Sequence, residues 1–219
     1  MSPREAPTPR LVTISAPYGA GGSVVGRELA DRLGLPFVDR AIPVAVSRRL
    51  DIPVDQVLGR EETPQTGLSR WIAAFAPAVL MAGGSPAGVV PPTDEASFRE
   101  ATEVVLREYA AEGAVILGRA GAIVLRDVPY ALHVRLDAPQ DRRILQAMRL
   151  GSFDRETAER EMRASDLARE AYVKHWYRAD PRDPRHYHLV LDSTSITLEG
   201  CTELISLALS HRAPAAEDH

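Results

Sequence analysis

The sequence predicts an α/β fold in which five parallel strands form one sheet with helices on both faces. Three observations carry that expectation. Short apolar runs alternate along the chain with amphipathic or charged helical stretches. Several of those stretches stop at a glycine, notably Gly34, Gly113 and Gly151. The first apolar run ends in a glycine-rich turn, "SAPYGAGGS" (15–23), immediately before a helix.

The elements follow in order. "RLVTIS" (10–15) reads as a buried strand. "GSVVGRELADRL" (22–33) reads as a helix with Val25, Leu29 and Leu33 on one face. "PFVDR" (36–40) is a second strand, and "AIPVAVSRRL" and "PVDQVL" are two short helices around "DIP". "GLSRWIAAFAPAVLMA" (67–82) is an apolar helix interrupted at Pro77, and "GGSPAGVVPPT" (83–93) is a loop. A long helix spans 94–112, closed by Gly113. "AVILG" (114–118) is the third strand, with a short helix after it through Leu125, and "YALHVRL" (130–136) is the fourth strand. "APQDRRILQAMRLG" (138–151) is a helix, and the charged stretch 154–177 reads as one long helix or a broken one. "YHLVLDS" (187–193) is the fifth strand and 197–211 the last helix. Right-handed crossovers bring the C-terminal ends of the strands to one edge, where a ligand is expected.

Composition narrows the function classes. At 219 residues the chain suits one domain, expected over 10–211 with loose tails at 1–9 and 212–219. It is 45% apolar and 26% charged, as soluble globular proteins are. A formal charge of −4 offers no field for nucleic acid, and no apolar run is long enough to suggest a membrane span. The single cysteine, Cys201, excludes an internal disulfide and fits a reducing, cytoplasmic location, as does the polar start without a signal-peptide core. Of 26 basic residues only Lys174 is a lysine. Cationic work at a phosphate therefore falls mainly to arginine, a planar fork with a different reach.

The glycine-rich turn has the layout of a phosphate-binding loop. Over the pattern GxxxxGK[ST], Ala16 stands at the first glycine, Gly21 at the second, Gly22 at the lysine and Ser23 at the hydroxyl. Backbone N–H groups from Tyr18, Gly19, Ala20, Gly21, Gly22 and Ser23 can cradle a phosphate, and the helix dipole adds to the attraction. Ser23 sits where a hydroxyl meets Mg²⁺. The lysine charge is absent, and Arg27, one helical turn past Ser23, is a candidate to replace it. The pattern alone leaves an ordinary strand–turn–helix open.

"YGAGG", "LGLPFVDR", "VILGRAGAIVL", "HVRLDAPQDRR", "SDLAREAY" and "YHLVLDSTSITLE" occur in order at plausible spacing over roughly 10–208. Their succession resembles the cytidylate kinase-like family, a divergent branch of the nucleoside monophosphate kinases whose loop also lacks the lysine. The resemblance implies a P-loop NTPase-type three-layer fold with a helical lid. It also implies an acceptor-binding helical region over 41–112 and a lid over 152–186. The implied activity is phosphoryl transfer from ATP, with Mg²⁺, to a nucleoside monophosphate, CMP or dCMP. Nucleotides are the expected partners, with a homo-oligomer left open.

The same resemblance supplies candidate residues. Asp39 and Arg40 end the second strand, where relatives hold the acceptor. Arg119 keeps the arginine of the segment that reads DGRDIG in cytidylate kinases, whose acidic positions are here Leu117 and Ala120. Arg163, Asp166 and Arg169 match the lid segment, and their i, i+3, i+6 spacing puts them on about one helix face. Arg142 and Arg143 are further candidates. The bland readings are an Asp–Arg helix cap for Asp39 and Arg40, a strand-end surface arginine for Arg119, and a solvated face of ion pairs for the lid residues. His175, His186 and His188 lack a metal-site spacing and read as surface residues, and Cys201 as core. Two further functions stay open: a nucleotide-binding sensor without turnover, and a kinase of another small molecule.

Overall fold

The apolar runs are β-branched and buried on both sides, which is what a parallel sheet covered by helices requires. A computed structural model of the chain describes residues 10–39, 95–152 and 154–212. β1 (Leu11–Ser15) lies in the middle, between β3 (Ala114–Leu117) and β4 (Ala131–Asp137). β2 (Phe37–Val38) and β5 (Leu189–Asp192) form the edges, in the order β2-β3-β1-β4-β5, with every pairing parallel. Ile14 pairs with Leu117 on one side and Val134 on the other, so the ends of three strands reach the same edge.

The alternation of side chains along β1 sends Leu11 and Ile14 to different layers. Val12 and Ile14, with Val115, Leu132, Val134 and Leu136, pack with α1 (Gly22–Leu33) and α6 (Leu198–Ser210) through Val25, Leu29, Cys201 and Ile205. Leu11 and Ile116 pack with α2 (Glu95–Glu112) and the region of α3 (Gly121–Val124) through Val105, Leu106, Val124 and Leu125. Gly34 ends α1 at φ 66, a conformation that favours glycine. α4 (Gln140–Gly151) and α5 (Arg155–Tyr177) join through Ile144, Ala147, Ala158 and Met162, with Tyr18 of the glycine loop against the same cluster. Asp154 starts α5 by accepting the Thr157 N–H at 2.7 Å.

Of the two readings open for 154–177 the structure has the unbroken one, with α5 running over 23 residues. His186, just before the fifth strand, lies in a 3₁₀ turn (Pro184–His186) that Asp183 caps by accepting the Arg185 N–H. The two short helices expected between 41 and 58, the apolar helix 67–82, the loop 83–93 and the tail residues 1–9 and 213–219 lie outside the described residues, while Arg212, expected at the start of a loose tail, donates to the Ala131 carbonyl at 3.1 Å.

One buried polar group titrates against the fold. His133 on β4 is 3% exposed. Its Nδ1 shares a hydrogen bond with the Thr13 hydroxyl at 2.8 Å, and its ring stacks on His188 at 5.0 Å. Its backbone N–H donates to Nδ1 of His188. Burial, then the neighbouring His188 and Arg212, push its pKa from 6.5 down to about 4. The unfolded chain therefore binds this proton at a higher pH than the native state. Stability is full above about pH 6.5 and is lost as pH falls toward 4, by on the order of 3 kcal/mol. Urea unfolding between pH 7.5 and 4.5 should show the decline, with a shallower slope in His133→Gln. Parallel slopes for the two proteins would remove His133 as the cause.

Candidate functional site

At the C-terminal edge of the sheet the glycine loop is held by its carbonyls. The Tyr18 carbonyl accepts from Arg143 at 2.7 Å, the Gly19 carbonyl from Gln146 at 3.0 Å and the Ala20 carbonyl from the Ser193 hydroxyl at 2.8 Å. The Pro17 carbonyl accepts the Ala20 N–H. In a trans peptide the N–H points opposite to the preceding carbonyl, so the N–H groups of Gly19 and Gly21 face away from these braces. Among the described residues no hydrogen bond takes the N–H of Gly19, Gly21, Gly22 or Ser23. Gly19 and Gly21 adopt φ 77 and 75. A Cβ at Gly19 would sit 2.2 Å from the Arg143 carbonyl oxygen, and one at Gly21 would sit 2.5 Å from Leu198. The donor set and the closeness of the backbone fit a phosphate.

The loop forms one wall of a cavity of about 590 Å³, within the range of small-molecule sites. Asp39 from the end of β2, Arg119 after β3, and Arg169 and Tyr172 from α5 form other walls. Three candidates distant in sequence thus meet in one place. Burial lowers the pKa of both arginines, while Asp39 acts in the opposite sense on each, as do Tyr172 on Arg119 and Asp166 on Arg169. Arginine keeps its charge even so. Arg119 is aimed by an unusual turn: Gly118, Arg119 and Ala120 are all left-handed, at φ 74, 55 and 54. Two successive non-glycine residues in that region hold strain of the kind found at functional sites.

The lid triplet separates. Asp166 accepts the Tyr18 N–H at 2.8 Å and pairs with Arg143 at 2.7 Å and with Arg169 at 3.5 Å. It therefore braces the loop from behind, and Arg143 is its partner there. Arg163 is 71% exposed, pairs with Glu159 on the same helix and does not line the cavity. The i+6 spacing drifts too far round the helix to keep all three on one face. Arg142 pairs with Asp192 at 2.7 Å and meets the Ser195 hydroxyl. Hydrogen bonds led by the Thr194 hydroxyl hold Asp192 well below the usual carboxylate range. Arg27 is exposed, with its guanidinium 5.4 Å from the Phe37 ring centre, and does not line the cavity. Lys174 pairs with Glu170 at 3.4 Å. Ser23 is exposed at the start of α1, on the cavity wall. Arg40 lies outside the described residues.

Tyr172, Gln146 and Ser193 were not singled out as site residues. Tyr172 follows Arg169 by three positions, so helical spacing could have found it. Gln146 and Ser193 act through single contacts that no sequence pattern marks.

A glycine loop between the central strand and the first helix of a five-stranded parallel sheet defines a P-loop NTPase-type fold. The chain belongs to the cytidylate kinase-like family, whose profile matches residues 11–195. An uncharacterized protein from Eubacterium ventriosum aligns with TM-score 0.66 at 17% identity, over 93% of this chain and 99% of that one. A shikimate kinase from Acinetobacter baumannii, solved with shikimate, aligns with TM-score 0.48 at 17% identity, over 94% of this chain and 96% of that one. A curated protein named uronate isomerase, from Corynebacterium glutamicum, is 28% identical over 116 residues, 53% of this chain and 22% of that protein. The chain thus spans about a fifth of the length of that relative.

The contrast within the lid triplet can be measured. Asp166→Ala leaves the Arg143 guanidinium, 6% exposed, without its carboxylate and should cost about 3 kcal/mol in denaturant unfolding. Arg163→Ala should change stability by less than about 0.5 kcal/mol. Equal effects would contradict the assignment of Asp166 as the loop's brace.

Proposed function

We propose that this chain transfers the terminal phosphoryl group of ATP to a nucleoside monophosphate, with CMP or dCMP as acceptor. Kinase-like chemistry follows from the family, and the acceptor is our reading. The observation that carries it is that one cavity is lined both by the glycine loop, whose Gly19 and Gly21 N–H groups turn away from the carbonyls' partners, and by Arg119 and Arg169. The loop would bind the donor's phosphates. Arg169 would meet the charge on the transferred group, and Arg119 would hold the acceptor's phosphate. Mg²⁺, placed with the help of Ser23, would neutralise donor phosphate charge. Phosphoryl transfer needs positioning and charge stabilisation more than covalent chemistry. A monophosphate oxygen is already a nucleophile, so this reaction requires no general base. The helix α5, with Tyr172 and Arg169 facing the cavity, would help exclude water.

A second reading is favoured by Asp39. A carboxylate on the cavity wall, within electrostatic reach of two arginines, suits an acceptor that has both a hydroxyl to deprotonate and an anionic group to hold. The partial match to a protein named uronate isomerase adds sugar acids to the compounds worth testing.

Labelled ATP and Mg²⁺ with CMP, dCMP, UMP, AMP, GMP and a set of sugar acids, read by product separation, decides among these. A labelled cytidine diphosphate is the expected product. Arg169→Ala and Arg119→Ala should each lower turnover by about 10²–10³ while changing Mg·ATP affinity little in calorimetry. A labelled sugar acid would install the second reading. ATP binding without transfer to any acceptor would leave a nucleotide sensor.

A further inference from the structure

The loop departs from the phosphate-loop pattern at the first glycine (Ala16) and at the lysine (Gly22), and Leu117 stands where the DGRDIG segment of cytidylate kinases has an acid. In sequence these are three separate losses. In space they are neighbours. A Cβ built on Gly22 would lie 2.6 Å from the Ala16 Cβ and 3.0 Å from Leu117 Cδ1. Side-chain carbons essentially never approach to 2.6 Å without displacement. Ala16 is attached to the loop backbone and cannot rotate away, and Leu117 packs into the core layer beneath α1. The space where any side chain at position 22 would begin is therefore filled.

The geometry points to Ala16 and Leu117 as the residues that exclude a side chain at position 22, so that the three departures are one coupled packing unit and, among the described residues, the cationic side chains at the cavity are Arg119 and Arg169 rather than one from the loop. This inference deepens the phosphoryl-transfer reading and, for the cation's role, rests on it. The loop supplies neutral N–H donors, and Arg119 and Arg169 supply the charge. A lysine at position 22 would have to displace Ala16 before it reached a phosphate. Arg27 lies over Phe37.

The backbone at Gly22 is the first residue of α1 and has no left-handed φ, so intrinsic helix preference alone makes Gly22→Ala stabilising. Overpacking makes it destabilising. The sign separates the two. We expect Gly22→Ala to lower the melting temperature by ~5 °C and Ala16→Gly/Gly22→Ala to recover at least half of that loss. A melting temperature for Gly22→Ala at or above the parent's would overturn the inference, as would an equal loss in the double variant. If Gly22→Ala fails to fold, the double variant decides: folding restored supports the coupling, and folding still absent overturns it.

Calorimetry with Mg·ATP reads the functional half. Gly22→Lys should weaken nucleotide binding at least tenfold, and Ala16→Gly/Gly22→Lys should regain most of it. Unchanged binding in Gly22→Lys would show that a lysine fits without displacing Ala16, against the inference. If the parent binds no Mg·ATP, the phosphoryl-transfer reading fails with the cation's role, while the melting experiment still decides the steric coupling.

Discussion

Four consecutive carbonyls, from Pro17 to Ala20, are committed to partners, and the rest of the site depends on that commitment. A peptide unit cannot turn its carbonyl without turning its N–H the other way. By accepting from Arg143, Gln146 and Ser193, the carbonyls leave the N–H groups of Gly19 and Gly21 toward the opposite side. The glycines permit the φ values, but they do not choose the direction. Elements far along the chain do so, α4 and the end of β5 above all. An anion site built in this way needs no reorganisation when its ligand arrives, which is the condition under which backbone dipoles contribute most.

The brace continues into α5. Asp166 accepts the Tyr18 N–H and pairs with Arg143, so one carboxylate ties the lid-like helix to the loop and to α4. Buried ion pairs often add little net stability, because desolvation offsets the attraction. What this one adds is placement. It holds the turn of α5 that carries Arg169 and Tyr172 beside the cavity, one turn along the same helix. Arg163, three residues before Asp166, faces water and belongs to the ladder of i, i+4 pairs that keeps the charged helix solvated.

The turn that presents Arg119 holds backbone strain. Arg119 and Ala120 both take left-handed φ after Gly118, and the same turn starts α3. The Gly118 N–H donates to the Ile14 carbonyl at 2.8 Å, which anchors the turn to the central strand beside the loop. Loop and turn therefore share one support. Ala16 and Leu117 fill the space where a side chain at position 22 would begin.

The sequence by itself determined the layers, the order of the elements and the place of the glycine loop. Periodicity and glycine stops are local signals, and here they agree with the packing: α1 spans the predicted residues, and strands β1 to β5 fall within a residue or two of the apolar runs. It also pointed to Asp39, Arg119 and Arg169 without showing that they meet, because a strand end, a turn and a helix face are unrelated until the sheet order brings them together. Only the tertiary structure decided the rest. It left Arg163 in water while Arg169 lines the cavity, since residues six apart on a helix diverge by about 120° and packing chooses between them. It made Gln146 and Ser193 part of the loop's support through contacts that span over a hundred residues of chain. And it turned three independent-looking departures from a motif into one contact, because steric exclusion exists only between atoms that the fold has already brought together.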